Sequence, residues 1–191
     1  MRARVAVVAA CGALFVLAVA LALTLLNAEY SRGGRVPFSF SYRGLDSVAP
    51  EPGGYVRVES RRPGGALEYS FAVDPLKLPG YRGGLTGAIA LYATGYERAL
   101  ERRYPSFELR GEGKTHISNS ITGYEVAYTA LVEGREMYGR NVLLLPERPG
   151  VREGVTIVML AQPGASAQVL SPLEVATTGI LLRPLKTFEI S

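Results

Sequence analysis

Residues 5–26 (VAVVAACGALFVLAVALALTLL) carry no charge, and Arg2 and Arg4 stand just before them. As a helix rising about 1.5 Å per residue, such a run reaches roughly 33 Å, enough to cross a hydrocarbon core of about 30 Å. It divides the chain into a membrane segment and a remainder that must fold in water. A cleaved signal has an apolar core of about 7–15 residues followed by small residues at the cut. Here the core is longer, and Leu26-Asn27-Ala28 puts a large side chain at the junction. An uncleaved signal anchor is therefore expected. Val8-Ala9-Ala10-Cys11 has the residue types of a lipidation box, but the apolar run continues long past the cysteine, which favours Cys11 as a small residue inside the span.

Arg2 and Arg4 place the short tail, residues 1–4, on the cytoplasmic side by the positive-inside rule, against the opposing pull of Arg32 and Arg35. A single-pass protein with its large C-terminal part outside the cytoplasm follows. Cys11 is the only cysteine, so the outer part can form no disulfide. Residues 27–35 read as a polar linker and residues 36–191 as one domain, large enough to bury about two thirds of its unfolded surface without a staple. The whole chain is +4 and residues 27–191 are +2. That balance gives no basic stripe of the kind that neutralises phosphates, so a nucleic-acid partner is not expected.

Strict alternation in Phe38-Ser39-Phe40-Ser41-Tyr42 and in Tyr55-Val56-Arg57-Val58-Glu59 predicts two strands, and residues 67–73 predict a third, closed by Pro75, Pro79 and Gly80. From Leu85 the period changes. Leu85, Ala88, Ile89, Tyr92, Tyr96, Ala99 and Leu100 share a helical face opposite Glu97, Arg98, Glu101 and Arg102, Thr86 can cap the start, and Pro105 stops the helix. The tyrosines on that face read as core with their hydroxyls at the rim. Residues 107–110 and 115–118 predict strands flanking a turn at Gly111-Glu112-Gly113-Lys114. Residues 124–132 and 135–145 predict a long hairpin about Glu133-Gly134, with Tyr124, Val126, Tyr128, Ala130 and Val132 on one face. Its length suggests the centre of the sheet. Residues 155–160 are nearly all apolar, as in a strand covered on both faces. Ser171-Pro172-Leu173-Glu174 has the signature of a capped helix start, and Pro184 limits that helix to about three turns. Residues 185–190 read either as an extension or as an edge segment.

The chain thus reads as an α+β domain, an antiparallel β-sheet between helices in an α/β/α sandwich. Phe38-Ser39-Phe40-Ser41-Tyr42, Phe71-Ala72-Val73-Asp74-Pro75, Gly123-Tyr124-Glu125 and Tyr138-Gly139-Arg140, with the terminal helix, resemble the PsbP-like fold across residues 36–190. Relatives often carry a tryptophan shortly after the first strand, where this chain has Arg43-Gly44-Leu45. The resemblance implies an envelope module that binds other proteins or assembly factors rather than a catalyst.

Catalytic chemistry needs convergent groups, and the outer part offers one histidine, no cysteine and two aspartates, Asp46 and Asp74. That count excludes the usual zinc sites, and neither a cofactor nor a metal is expected. Gly113-Lys114-Thr115 ends like a phosphate-binding loop, but Glu108 replaces the first glycine such a loop needs. Tyr128, Tyr138 and Arg140, with His116 beside them, are the candidate binding residues, because tyrosine and arginine supply area and directional donors at interface hot spots. The expectation is a membrane-tethered binding or scaffold module for an envelope protein or surface ligand. The alternative is an envelope hydrolase or carbohydrate-acting enzyme using Glu125, Glu133, Glu136, Glu147 and Glu153.

Overall fold

The computed structural model describes residues 27–80, 85–117, 121–146, 151–165 and 169–191. The apolar run at residues 5–26, Cys11 and Glu147 lie outside them, and no described helix is long and apolar enough to cross a membrane. Five strands open the described chain: β1 (Ala28–Arg32), β2 (Phe38–Tyr42), β3 (Asp46–Val48), β4 (Val56–Arg61) and β5 (Leu67–Lys77). Helix α1 (Leu85–Arg103) follows, then β6 (Glu108–Ile117), β7 (Ile121–Val132), β8 (Arg135–Leu144) and β9 (Glu153–Ala161). A 3-10 turn (Pro172–Glu174), a short helix α2 (Leu182–Lys186) and β10 (Glu189–Ile190) complete it.

All strand pairs are antiparallel, and they form a seven-stranded sheet in the order β3-β4-β5-β9-β8-β7-β6 and a small sheet β1-β2-β10. The centre of the large sheet is β9, held between β5 and β8, rather than the β7–β8 hairpin. Its apolar run has the predicted cause: Val155, Ile157, Met159 and Ala161 enter one core and Leu160 the other. One face carries α1 over part of its width. The other is covered by the small sheet and the C-terminal segment, through Phe38, Phe40, Phe71, Phe188 and Leu181. Phe40 and Phe71 meet at 4.9 Å between ring centroids, and Phe38 stacks on Phe188 at 5.6 Å. The hairpin turn is as read: Glu133 (φ 52°) and Gly134 (φ 75°) both adopt the left-handed conformation that a two-residue turn needs.

The structure corrects the sequence reading in four places. Residues 27–35 are not a linker, because Ala28–Arg32 pairs along its length with β2. β5 does not stop at Pro75. Tyr55 N–H donates to the Val73 carbonyl, so odd-numbered residues of β5 turn their backbone polar groups toward β4, and Pro75 lies just past the end of β4, where no partner needs its missing donor. The expected turn at 111–114 is continuous strand, with a register shift between Leu109 and Gly111; Leu173 packs over Gly111, where an added Cβ would lie 3.1 Å from its Cδ2. The expected C-terminal helix of about three turns is replaced by a single 3-10 turn and the five-residue α2. Ser171 makes no side-chain cap, Glu174 Oε2 instead accepts from Leu170 N–H at 2.7 Å, and Ala176 (φ 63°) and Gly179 (φ 72°) break the helical path. The sheet is therefore flanked by a long helix on one side only.

Candidate functional site

Helix α1 lies over β6 and β7. Ala88, Ile89, Ala93 and Leu100 pack on Val126, Tyr128, Ala130, Met137 and Leu143. Pro105 and the left-handed Ser106 (φ 55°) end its path. On the same face, β4 and β5 carry polar residues instead. The register pairs Arg57 with Ala72 and Glu59 with Ser70, and Asp74 follows two residues on. Between this strip and the end of α1 lies a cleft of ≈ 160 Å³, with Arg57, Ser70, Asp74, Glu51, Arg103, Tyr104 and Glu133 among its walls.

Most charges around the cleft are already matched. Arg57 NH2 stands 2.7 Å from Glu59 Oε2 and NH1 stands 3.9 Å from Glu51. Arg61 donates twice to Glu133, at 2.9 Å each, and through Nε to Glu59 at 2.5 Å. Arg103 pairs with Glu51 and lies over the Tyr104 ring. The hydrogen bonds from Arg61 hold Glu133 below the usual carboxylate range. Asp74 behaves differently. Burial, aided by repulsion from Glu51, raises its carboxyl above the usual range against the pull of Arg103 and Arg57. No hydrogen bond reaches it among the described residues, although an added Cβ on Gly54 would sit 2.7 Å from its Oδ1. Arg57 Nε is likewise buried without an acceptor. The cleft therefore keeps one acceptor and one donor in reserve.

The four residues singled out from the sequence do not come together. Tyr128 is fully buried under α1, stacked with Tyr104 at 6.1 Å and tilted against Phe107 at 5.2 Å. Its hydroxyl donates to Asn141 Oδ1 at 3.4 Å, while Asn141 Nδ2 donates to the Tyr96 hydroxyl at 2.7 Å. The Tyr96 hydroxyl thus reaches inward to a buried amide instead of the rim. Thr129 pairs with Tyr138 and Ala127 with Arg140, so these two side chains lie on the opposite face of the sheet from Tyr128. Arg140 bonds within the domain: Nε and NH2 donate to Glu125 Oε2 at 3.0 and 2.6 Å, and NH1 donates to the Val175 carbonyl at 3.0 Å. Tyr138 is half-buried against the small-sheet core. His116 is exposed on the edge strand β6, opposite Thr122.

Of the glutamates considered for hydrolysis, Glu125, Glu133 and Glu153 are paired with Arg140, Arg61 and Arg35. A different pair stands out: Glu97 on α1 meets Glu112 on β6, which also accepts from the Tyr124 hydroxyl at 2.8 Å. Burial first, and then the hydrogen bond and charge of Glu112, push Glu97 up to about 7. Carboxyls in hydrogen-bonding contact share a proton. Glycoside hydrolysis instead needs carboxyls about 5–9.5 Å apart to admit a sugar or a water between them. Among the described residues no group of three potential ligands could hold a metal.

Sequence reasoning missed Glu51, Arg57, Arg103 and Asp74 as a group. The signal was the polar alternation itself: Arg57 and Glu59 on one strand, Ser70 and Asp74 on the next, all on a face that neighbouring strands keep apolar. No family model matches the chain, and no curated protein matches it. Among solved structures it is similar to PA94 of Pseudomonas aeruginosa, a protein of unknown function, at 15% identity and a TM-score of 0.41, covering 63% of this chain and 85% of that one.

Proposed function

We propose that the chain is a membrane-tethered, extracytoplasmic binding module of a bacterial cell envelope, of the PsbP-like kind, and that its cleft receives one cationic or amide-bearing side chain of a partner protein. The observation that carries this reading is Asp74, a half-buried carboxyl without a hydrogen-bond donor among the described residues, in a cleft whose other charges are mostly matched. Size supports a side chain over a metabolite. Small-molecule sites run to about 300–1,000 Å³, and ≈ 160 Å³ holds little more than one long side chain. An incoming ammonium, guanidinium or amide would donate to Asp74, and the salt-bridged rim of Arg103, Glu51 and Tyr104 would shield the contact from water, as energetically neutral rims do around hot spots. The tether is the apolar run at residues 5–26, and the arginines before it set the orientation.

The test is capture of partners from detergent-solubilised envelope by the full chain and by its Asp74→Asn and Asp74→Leu variants, with thermal melts to check folding. A protein retained by the native chain and lost from the folded Asp74→Leu variant supports the reading. An identical set of captured proteins for all three refutes the role of the cleft.

A further inference from the structure

The way the domain joins the proposed span determines which of its ends meets the lipid. The apolar run finishes at Leu26 and β1 starts at Ala28, with Asn27 alone between them. Two residues reach about 7 Å even when fully extended. β1 cannot peel away to lengthen the tether without losing its pairing with β2, which runs from Ala28↔Tyr42 to Arg32↔Phe38. The Ala28 end of the small sheet is therefore held at the headgroup layer.

Three segments meet at that end. Tyr42 lies opposite Ala28, and Arg43 and Gly44 follow it in the chain. On the other side of β2, Ser41 N–H donates to Thr187 Oγ1 at 2.9 Å, and the Thr187 hydroxyl donates to the Arg183 carbonyl at 2.9 Å, which fixes α2 beside the strand end. Ile180 covers Gly44, where an added Cβ would lie 3.1 Å from Ile180 Cδ1. Arg43, Leu182 and Arg183 are exposed there, and neither arginine forms an ion pair among the described residues. Acids are present in this region too: Glu29 lies opposite Ser41, Glu189 opposite Ser39, and Asp46 opens β3, while Lys186 on α2 is exposed. Basic side chains alternating with leucine, isoleucine and tyrosine form the mixture that settles at an anionic interface, with apolar parts among the headgroups and charges toward the phosphates.

We propose that the end of the domain bearing Tyr42, Arg43, Ile180, Leu182 and Arg183 docks on the anionic surface of the membrane that the chain itself spans. The inference rests on the tethered reading above. Docking there leaves the cleft accessible, because the cleft opens on the face of the seven-stranded sheet opposite the small sheet.

The chain contains no tryptophan, so a single introduced one reports alone. The full chain carrying Leu182→Trp, or Arg43→Trp as a second reporter, is reconstituted into vesicles of phosphatidylcholine with or without phosphatidylglycerol, and quenching by brominated lipid is measured. Leu91→Trp, exposed on α1 in the far layer, is the reference. The expected result is quenching several-fold stronger at 182 and 43 than at 91, increased by phosphatidylglycerol and reduced at 182 by Arg43→Ala with Arg183→Ala. Equal quenching at all positions, in vesicles that retain the chain on flotation, overturns the docking surface while leaving the tether intact. Failure of the chain to float with vesicles overturns the tether itself.

Discussion

A methyl group on Gly139 should unsettle the domain more than its size suggests. The Tyr128 ring lies flat on this glycine: an ideal Cβ would stand 2.2 Å from ring atom Cζ and 2.4 and 2.6 Å from Cε2 and Cε1. Carbon atoms normally meet at about 3.5–4.0 Å, so the ring must move by more than 1 Å. It has no room to do so, being fully buried between Tyr104 and Phe107 with its hydroxyl directed at Asn141. Overpacking of this kind costs about 1–3 kcal/mol, and displacing the hydroxyl from Asn141 adds about 1 kcal/mol. For a domain of this size each kcal/mol lowers Tm by about 2–4 °C, so Gly139→Ala should melt roughly 5–15 °C below the native chain. The assay is thermal unfolding followed by circular dichroism, repeated in a Tyr128→Leu background. Leucine removes the ring that clashes, so the same alanine should then be nearly neutral, and the difference measures the coupling. A shift of less than about 2 °C for Gly139→Ala alone, or an equal shift in both backgrounds, would refute the argument that the ring and the glycine form one packed unit.

Arg140→Ala should act as a structural lesion. Removing one partner of a buried pair costs about 3–5 kcal/mol, and the 12% and 20% exposure of Arg140 and Glu125 lowers that to about 2–3 kcal/mol. The C-terminal segment held through the Val175 carbonyl should then exchange its amides faster, and unchanged protection around Val175 would contradict the clamp. Stability should also fall as pH rises toward and through 7. Glu97 is pushed up to about 7, so the folded chain binds a proton that the unfolded chain releases near its ordinary value, and the benefit is complete only below that ordinary value. Asp74, also raised, contributes in the same direction, whereas Glu133, lowered by Arg61, stabilises above its ordinary range and less in acid. Melting temperatures of native and Glu97→Gln chains from about pH 5 to about pH 8 test this, and a native slope that Glu97→Gln does not flatten argues against the carboxyl pair.

The legible parts of the fold are those where one strand's own pattern is enough. β2 is delimited by its alternation to the residue, because Phe38 and Phe40 share one face and their serine neighbours the other. β9 announces burial on both faces, and α1 shows most of its apolar face before Pro105, although Ala99, expected on that face, is exposed and Ala93, not expected there, is buried. The illegible parts depend on a distant partner. β1 has one ring, Tyr30, to contribute, stacked on Phe38 and Phe40, and without β2 in view its polar residues resemble a linker. The glycines of β6 resemble a turn until Leu173, more than fifty positions away, is found packed over Gly111. The C-terminal helix had a suitable start, but Thr177, Thr178 and Gly179 give it poor propensity, and its apolar residues are satisfied without helical spacing. For the site, residue type alone misled. Tyr128 and Arg140 have the chemistry of interface residues, but one is enclosed beneath α1 and the other already spends its donors on Glu125 and Val175.

The position of the cleft follows from a mismatch of widths. Seven strands about 4.8 Å apart span roughly 29 Å, and a helix is about 10–12 Å across with its side chains. One helix therefore cannot cover a face of this sheet, and α1 is placed over β6 and β7, where Val126, Tyr128 and Ala130 supply the apolar surface. The remainder of that face is lined partly by polar residues: β4 and β5 turn Arg57, Glu59, Ser70 and Asp74 toward it, Glu59 and Ser70 being buried there, while their alternate residues Val56, Val58, Phe71 and Val73 enter the opposite core. Charges gathered on this strip neutralise one another, as Glu59, Glu133 and Glu51 do with the arginines. Asp74, half-buried in the cleft, receives no hydrogen bond among the described residues. On the reading proposed above, a partner that brings a donor to Asp74 would form a new bond there without breaking an existing one, which is why the cleft is the part of the surface proposed to bind.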